Sequence, residues 1–334
     1  MYLKLEVRRV SCRRCGTVKR EQLAWLADNP LYTKRFAFFV GRRCRSSTIK
    51  DVAKETHLHW GTVKELDKQY MHEQLRRTGT PAPAAIGVDE ISIRKRHEYR
   101  IVVSDLGRRR PIWFGGKDRS ETSMDEFYAF LGEQKTQKIR LAVMDMWKPF
   151  RTSTERHAPN ASIVYDKFHI LTHLSDAMDT VRRSEYKRVT GSDRRFIKGQ
   201  RYNLLRNPDS LTKTGKEALR LLFRANKRLY TAYLLREEFE LLWECETDAQ
   251  ARRFFLRWRQ ALKWKRLKPF EEFAGLMERH WDGIMSYCRS DHSIPLGFVE
   301  GLNNKIRVIQ RRAYGLKDQE YLRLKILTCM LMAI

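Results

Sequence analysis

Ala85-Ile86-Gly87-Val88-Asp89 and Ile139-Arg140-Leu141-Ala142-Val143-Met144-Asp145 decide how this chain is read. Each is an apolar run that ends on an aspartate. A carboxylate at the tip of a buried strand adds nothing to a core. It suits a divalent cation, which takes hard oxygen ligands presented by a stiff scaffold. A third acid, Glu300, lies in a segment of helical spacing from Val299 to Gln310.

Around the first run the pattern is that of strands: Ile86 to Ile93, Tyr99 to Ser104 and Pro111 to Gly115, with Asp105-Leu106-Gly107-Arg108 as a turn. Three strands joined by short turns predict an antiparallel meander. A helix follows from about Ser123 to Gln134, with Met124, Phe127, Tyr128 and Leu131 on one face. Then come a strand from Arg140 to Asp145, a short helix from Trp147 to His157 and a strand from Ala161 to Asp166. This order is that of the ribonuclease-H-like fold, an α/β architecture on a mixed five-stranded sheet. Its first and fourth strands are neighbours, so their ends would bring Asp89 and Asp145 together. In open sheets of this kind ligands gather where neighbouring strands part.

Before the strands, residues 31–77 read as helical. Ser47 can cap a helix from Thr48 to Glu55, and Trp60 starts another after the tight connection Thr56-His57-Leu58-His59. Ala53, Leu58, Val63 and Leu66 have helix-turn-helix spacing: a small residue at the crossing and apolar residues filling the shared core. The second helix is expected to enter a DNA major groove and expose His59, Thr62, Lys64 and Lys68. Residues 1–77 carry 18 Lys+Arg against 8 Asp+Glu, which favours that reading over an ordinary helical hairpin. Residues 1–28 hold Cys12-Arg13-Arg14-Cys15-Gly16, half of a zinc-ribbon knuckle. A structural zinc needs four ligands, and only Cys44, His57 and His59 are near in sequence. The expectation is a metal-free remnant, with any second cysteine pair lying upstream.

Thr78-Gly79-Thr80-Pro81-Ala82-Pro83-Ala84 reads as a linker, which assigns 29–77 to DNA binding and 85–170 with 292–334 to the catalytic fold. Residues 171–291 are helical in pattern and form an insertion. Within it, residues 182–228 carry 15 Lys+Arg against 4 Asp+Glu. The whole chain of 334 residues has a formal net charge of +27. Such a charge calls for a polyanionic partner, bound more weakly as salt rises. No apolar stretch approaches the roughly twenty residues that span a bilayer. Six cysteines are too few for a disulfide scaffold, and the N-terminus is no secretory signal, so a cytoplasmic setting is expected.

At helical phase Val299, Leu302, Ile306 and Ile309 share one stripe that would pack on the sheet. Glu300, Asn304, Arg307 and Arg311 form the neighbouring stripe, so Glu300 sits at the rim and the arginines could hold phosphates. Two Mg²⁺ or Mn²⁺ ions, roughly 3.5–4 Å apart and bridged by Asp89, Asp145 and Glu300, can run in-line phosphodiester chemistry. Asp166 and Asn304 are expected to support the ligands rather than bind, Asp166 alternatively capping a helix or serving as a ligand. Asp105 reads as turn chemistry, Glu90 points to the opposite strand face, His169 packs or caps, and Trp147 packs or stacks on an unpaired base.

Four blocks then resemble one known family: VDEISIRKRHEYRIVVSDL at 88–106, VMDMWKPF at 143–150, NASIVYDKFHI at 160–170 and EGLNNKIRVIQRRAYG at 300–315. They are similar to the insertion-sequence-L-three family of bacterial transposases, over nearly the whole chain. The resemblance implies a metal-dependent DDE transposase with Asp89, Asp145 and Glu300 as its acids. It implies action on terminal inverted repeats and target DNA by a homodimer or larger assembly. Members begin with a four-cysteine ribbon, of which this chain carries Cys12 and Cys15. Two other readings remain: a helix-turn-helix regulator whose second domain is inactive, and a ribonuclease-H-like nuclease or resolvase that cuts without joining.

Overall fold

The computed structural model describes residues 3–21, 23–94, 98–286, 297–313 and 316–334. They fall into two compact units: Met1–Pro81 with Arg110–Phe114 and Leu302–Ile334, and Ala82–Arg109 with Gly115–Gly301.

The first unit opens with a small hairpin, β1 (Arg9–Ser11) and β2 (Val18–Arg20), whose turn carries Cys12 and Cys15 and closes on Gly16 at φ +67°. Three helices follow: α1 (Lys34–Ser46), α2 (Ile49–Thr56) and α3 (Trp60–Thr78). Thr33 caps α1, and Thr48 caps α2 by accepting from the Asp51 N–H. His57 takes a left-handed conformation at φ 52° and ends α2, and His59 caps α3 through Nδ1. The cap of α2 is therefore Thr48, one residue past the expected Ser47. Val52, Ala53, Val63 and Leu66 are buried together with Ala37 and Val40, and Leu58 packs against them, as the helix-turn-helix spacing requires. Gly41 gives α3 room to approach, since a Cβ there would stand 2.2 Å from the Tyr70 ring.

The sheet comprises β3 (Ala85–Arg94), β4 (Glu98–Asp105), β5 (Arg110–Gly115), β6 (Leu141–Met144) and β7 (Ser162–Tyr165), in the order β5-β4-β3-β6-β7. β3 runs antiparallel to β4 and parallel to β6, and β6 runs parallel to β7. Helices α4 (Glu121–Leu131), α5 (Glu133–Thr136) and α6 (Lys148–His157) make the crossovers. Tyr128 of α4 donates to Thr154 Oγ1 of α6 at 2.8 Å, satisfying a phenol buried between the two. The β3–β6 register ends on Gly87↔Val143, so Asp89 and Asp145 each stand two residues beyond the last pair.

The chain then becomes helical: α7 (Lys167–Arg188), α8 (Gly191–Gly199), α9 (Arg201–Leu205), α10 (Lys213–Ala225), α11 (Lys227–Glu240), α12 (Asp248–Leu262), α13 (Lys268–Arg279) and α14 (Trp281–Met285). The helical run starts at Lys167 rather than 171, because Asp166 caps α7; the expected boundary at 291 lies outside the described residues. Its core is aromatic. Phe239 meets Trp258 and Phe273 edge-on at 4.8 and 4.9 Å, and the buried Trp258 indole donates to Leu235 O at 2.9 Å.

Helix α15 (Gly297–Arg312) starts in the second unit, where Val299 and Phe298 pack on Leu141, Val143, Val164 and Leu106. Gly87 lies under it: a Cβ at that position would meet Val299 Cγ2, Leu106 Cδ2 and Ser104 Oγ, each at 2.9 Å. The last helix, α16 (Gln319–Thr328), belongs to the first unit, as do all residues from Leu302 on. Sequence pattern groups 292–334 with the catalytic fold. The structure differs because Tyr321 and Leu324 pack on Tyr70 and Met71 of α3, and Lys325 reaches the buried Asp67 at 2.6 Å. Tyr321 Oη donates to the same carboxylate at 2.5 Å, and Arg312 donates to the carbonyls of Ser46 and Arg45. Among the described residues no helix is long and apolar enough to cross a membrane.

Candidate active site and DNA-binding helices

Asp89, Asp145, Asp166 and His169 line one small cleft at the ends of β6 and β7, where β3 parts from β6, with Val88, Val143, Met144 and Val299 as its walls. The local reason is simple. Asp145 and Asp166 each follow an apolar strand and leave the sheet where β6 and β7 end. Asp89 instead lies within β3, which runs on to Arg94 paired with β4, Asp89 opposite Val102; the expected strand tip is only where β3 parts from β6. Asp89 is nearly buried and its Oδ1 accepts from the Glu90 N–H at 2.6 Å. Asp145 remains 28% exposed through its side chain. Asp166 Oδ1 accepts from the Phe168 N–H at 2.8 Å and so caps α7. Burial pushes the Asp166 carboxyl up; the Phe168 N–H and His169 oppose this, and the charges of Asp145 and Glu300 add to it.

His169 does more than pack or cap. Its Nδ1 stands 2.7 Å from Asp145 Oδ1. Burial alone would lower its pKa, but the bond to Asp145 and the charges of Asp145, Asp89 and Asp166 overcome it, and the pKa rises to about 9. The imidazole is therefore a cation at neutral pH, set among three carboxylates. The sequence signal for this was the spacing of Asp166 and His169 across the first turn of α7, which turns the ring back over the strand ends.

Glu300 is exposed on the first turn of α15, next to the buried Val299. Its charge reaches Asp166, but its side chain is not among those lining the cleft. Among the described residues, no three His, Cys, Asp or Glu side chains are drawn together closely enough to hold a metal as they stand. The donor set nonetheless fits a hard divalent cation in kind: carboxylate oxygens on neighbouring strands where β3 parts from β6, with further acids whose charge is felt in the same cleft. Zinc is a different matter. Cys12 and Cys15 supply two thiols, and Cys44 is buried in the packing of α1, so no four-ligand site forms among the described residues.

Beside the cleft, the Arg119 guanidinium lies between two rings, 4.6 Å from the Tyr99 centroid and 4.7 Å from that of Trp147. Glu90 holds it at 2.7 Å, and Trp147 Nε1 donates to Arg119 O at 2.8 Å. Trp147 is thus part of a stack, with 39% of its surface still exposed. Sequence pattern did not find Arg119 or Tyr99, which are distant in the chain and carry no motif. Asp105 behaves as a turn residue, accepting from the Arg108 N–H at 2.9 Å.

In the first unit, Lys64 and Lys68 are not free on the surface of α3. Lys64 pairs with Asp318 at 2.6 Å, and Lys68 with Asp318 at 3.1 Å and Glu320 at 2.8 Å. The expectation that both are exposed to DNA is corrected on this point: the segment leading into α16 brings two acids onto that face. Thr62 is half-buried, while His59 and Trp60 stand out at the start of α3. Asn304, Arg307 and Arg311 are exposed on α15, with Arg307 Nη1 3.4 Å from Asn304 Oδ1.

The sequence matches known proteins over most of its length. A family model described as "Transposase" matches residues 86–326, and one described as "Helix-turn-helix domain of transposase family ISL3" matches residues 21–71. The chain is 35% identical over 329 residues to a transposase for insertion sequence element IS1001 of Bordetella parapertussis, covering 98% of this chain and 80% of that protein. It is 26% identical over 349 residues to a transposase for insertion sequence element IS1557 of Mycobacterium tuberculosis, covering 96% and 77%. A helix-turn-helix, a mixed sheet with acids gathered where β3, β6 and β7 part and a match that runs almost end to end place this chain in the ISL3 family of insertion-sequence transposases.

Proposed function

We propose that the chain binds the terminal inverted repeats of an insertion sequence through its helix-turn-helix, cuts a phosphodiester at each end and joins the freed 3′-hydroxyl to target DNA. The catalytic fold is read as ribonuclease-H-like, on the support of its sheet order and its parallel β3–β6–β7 run. The observation that carries the chemistry is the placing of Asp89 and Asp145 two residues beyond the last pair of neighbouring parallel strands.

In this reading Asp89, Asp145 and Glu300 hold two Mg²⁺ or Mn²⁺ ions. Bound there, such ions would lower the pKa of the attacking water or 3′-hydroxyl and take up charge on the leaving oxygen. Asp89 is held rigidly by its strand and by the Glu90 N–H. Asp145 is oriented by His169, and Asp166 fixes the start of α7 so that His169 stays in reach. Glu300 closes the set from α15. Arg307 and Arg311 present cations to phosphates from the exposed stripe of that helix. Two ends must be handled together, so the working species is a dimer or larger assembly on DNA.

The test is a cleavage and strand-transfer assay with oligonucleotides carrying the element's ends and Mg²⁺ or Mn²⁺. Cleavage followed by joining is expected, and pre-cut ends should be joined without the first step. Joining that never occurs even from pre-cut ends would identify a nuclease. Repeat-specific binding with no metal-dependent cleavage would identify a regulator.

A further inference from the structure

Between Asp248 and Glu271 the chain has eight lysines and arginines and no acid. In the middle of this run, the turn joining α12 to α13 carries Lys263, Trp264, Lys265 and Arg266, all exposed. Trp264 is 90% exposed, matched among the described large apolar side chains only by Met332. A tryptophan is the side chain with most to gain from burial, so a fully exposed one on a basic turn asks for a partner.

The turn is not loose. Leu262 and Leu267 on either side of it are buried at 2% and 0%, and Arg266 sits in the left-handed region at φ 52°. Arg228 on α11 donates to Arg266 O at 2.7 Å, and Lys265 N donates to Leu262 O at 3.0 Å. The anchors turn inward and the indole is held outward. Lys268 on the first turn of α13 is exposed as well, and Glu272 stands 3.7 Å from it.

We propose that this turn is a nucleic-acid contact in which Lys263, Lys265, Arg266 and Lys268 hold backbone phosphates and the Trp264 ring stacks on an unpaired base. Charge decides for DNA over a second copy of the chain, because a surface of this composition repels its own kind and attracts phosphates. Stacking on an aromatic ring needs no particular base, since every base offers a π-face. DNA with a frayed or nicked end supplies one, and a protein that cuts DNA makes such ends. The inference rests on the DNA-cutting reading only for this choice of partner.

The test uses the full chain in EDTA, so that nothing is cut, with three labelled DNAs of arbitrary sequence: a paired duplex, a duplex with an unpaired end carrying 2-aminopurine, and a single strand. Trp264→Ala should weaken binding to the two substrates with unpaired bases by on the order of tenfold. It should leave the paired duplex nearly unchanged and abolish part of the 2-aminopurine quenching, while Trp264→Phe retains most of both. Lys263→Gln with Lys265→Gln should make the salt dependence of log affinity shallower by about two in slope. Both positions are exposed, and an unchanged melting temperature checks that the fold is intact. Equal affinity of Trp264→Ala and wild type for all three DNAs overturns the proposal. So does a fall in sedimenting mass without loss of DNA affinity, which would make the turn an interface between copies. A chain that never cleaves its ends would defeat the proposed function but leave this binding result readable.

Discussion

His169 Nδ1 lies 2.7 Å from Asp145 Oδ1, so the acid expected to hold a metal already has a cation beside it. The pair explains how carboxylates can share a cleft before any divalent ion arrives. Like charges this close would otherwise raise one another's pKa values or push the strands apart.

The first prediction follows from the sign of that shift. The His169 pKa is raised from 6.5 to about 9 in the folded protein. A raised pKa contributes stability that is fully present below the unfolded value and is lost as pH rises through the folded one. In EDTA, the melting temperature of the wild type should exceed that of His169→Gln at pH 6 and the gap should close by about pH 10. A gap that widens with rising pH would mean that the imidazole is not charged in the fold.

Replacing any one acid of the trio should separate binding from chemistry. Asp89→Asn, Asp145→Asn and Glu300→Gln are each expected to cut cleavage by more than about a hundredfold. Affinity for the element's ends, measured by gel shift in EDTA, should stay within about twofold. Full activity in Glu300→Gln would remove α15 from the catalytic set and leave Asp166 as the third acid.

Asp318 occupies the two lysines of α3 that the proposed function would turn toward DNA. Its carboxyl is held well below the usual range, first by its bond to Lys64, against the opposing pull of burial. Asp318→Asn with Glu320→Gln keeps a cap for the Tyr321 N–H and removes the charges that pair Lys64 and Lys68. If those lysines then reach phosphates, affinity for the repeats rises and the salt slope steepens by about one to two. An unchanged slope would show that α3 reads DNA without them.

The buried pair under α16 carries the largest stability prediction. Asp67 is 1% exposed, and burial pushes its carboxyl up while Lys325 and Tyr321 pull it down. Lys325→Met strands that carboxylate and should cost about 3–5 kcal/mol in urea unfolding. The double change Lys325→Met with Asp67→Leu should recover most of it. A double variant as unstable as the single one would mean that packing, not charge, is what α16 supplies.

Asp89 and Asp145 stand out in the sequence because period and composition mark a buried strand and a charge interrupts it; Asp145 does follow the end of β6, but Asp89 lies within β3. Glu300 was harder. Helical phase places it beside the Val299 stripe, but phase tells which face is buried and never against what. The same limit hid the placing of Tyr321 and Leu324 on Tyr70 and Met71, since an apolar face fits a sheet or another helix equally well. Lys64 and Lys68 read as free because their partners lie some 250 residues away in the chain. The Arg119 stack was invisible for the same reason, being made of residues from three separate segments.

Gly87 has no side chain, and that lack acts as a gauge. With Val299 Cγ2 only 2.9 Å from where a Cβ would sit, the start of α15 rests directly on the β3 backbone. Even a methyl group at 87 would act as a shim, lifting the turn that bears Glu300 away from the strand that bears Asp89. In the proposed reading the height of Glu300 above Asp89 and Asp145 is set at a position that carries no side chain, and Gly87→Ala is expected to slow cleavage with all three carboxylates still in place.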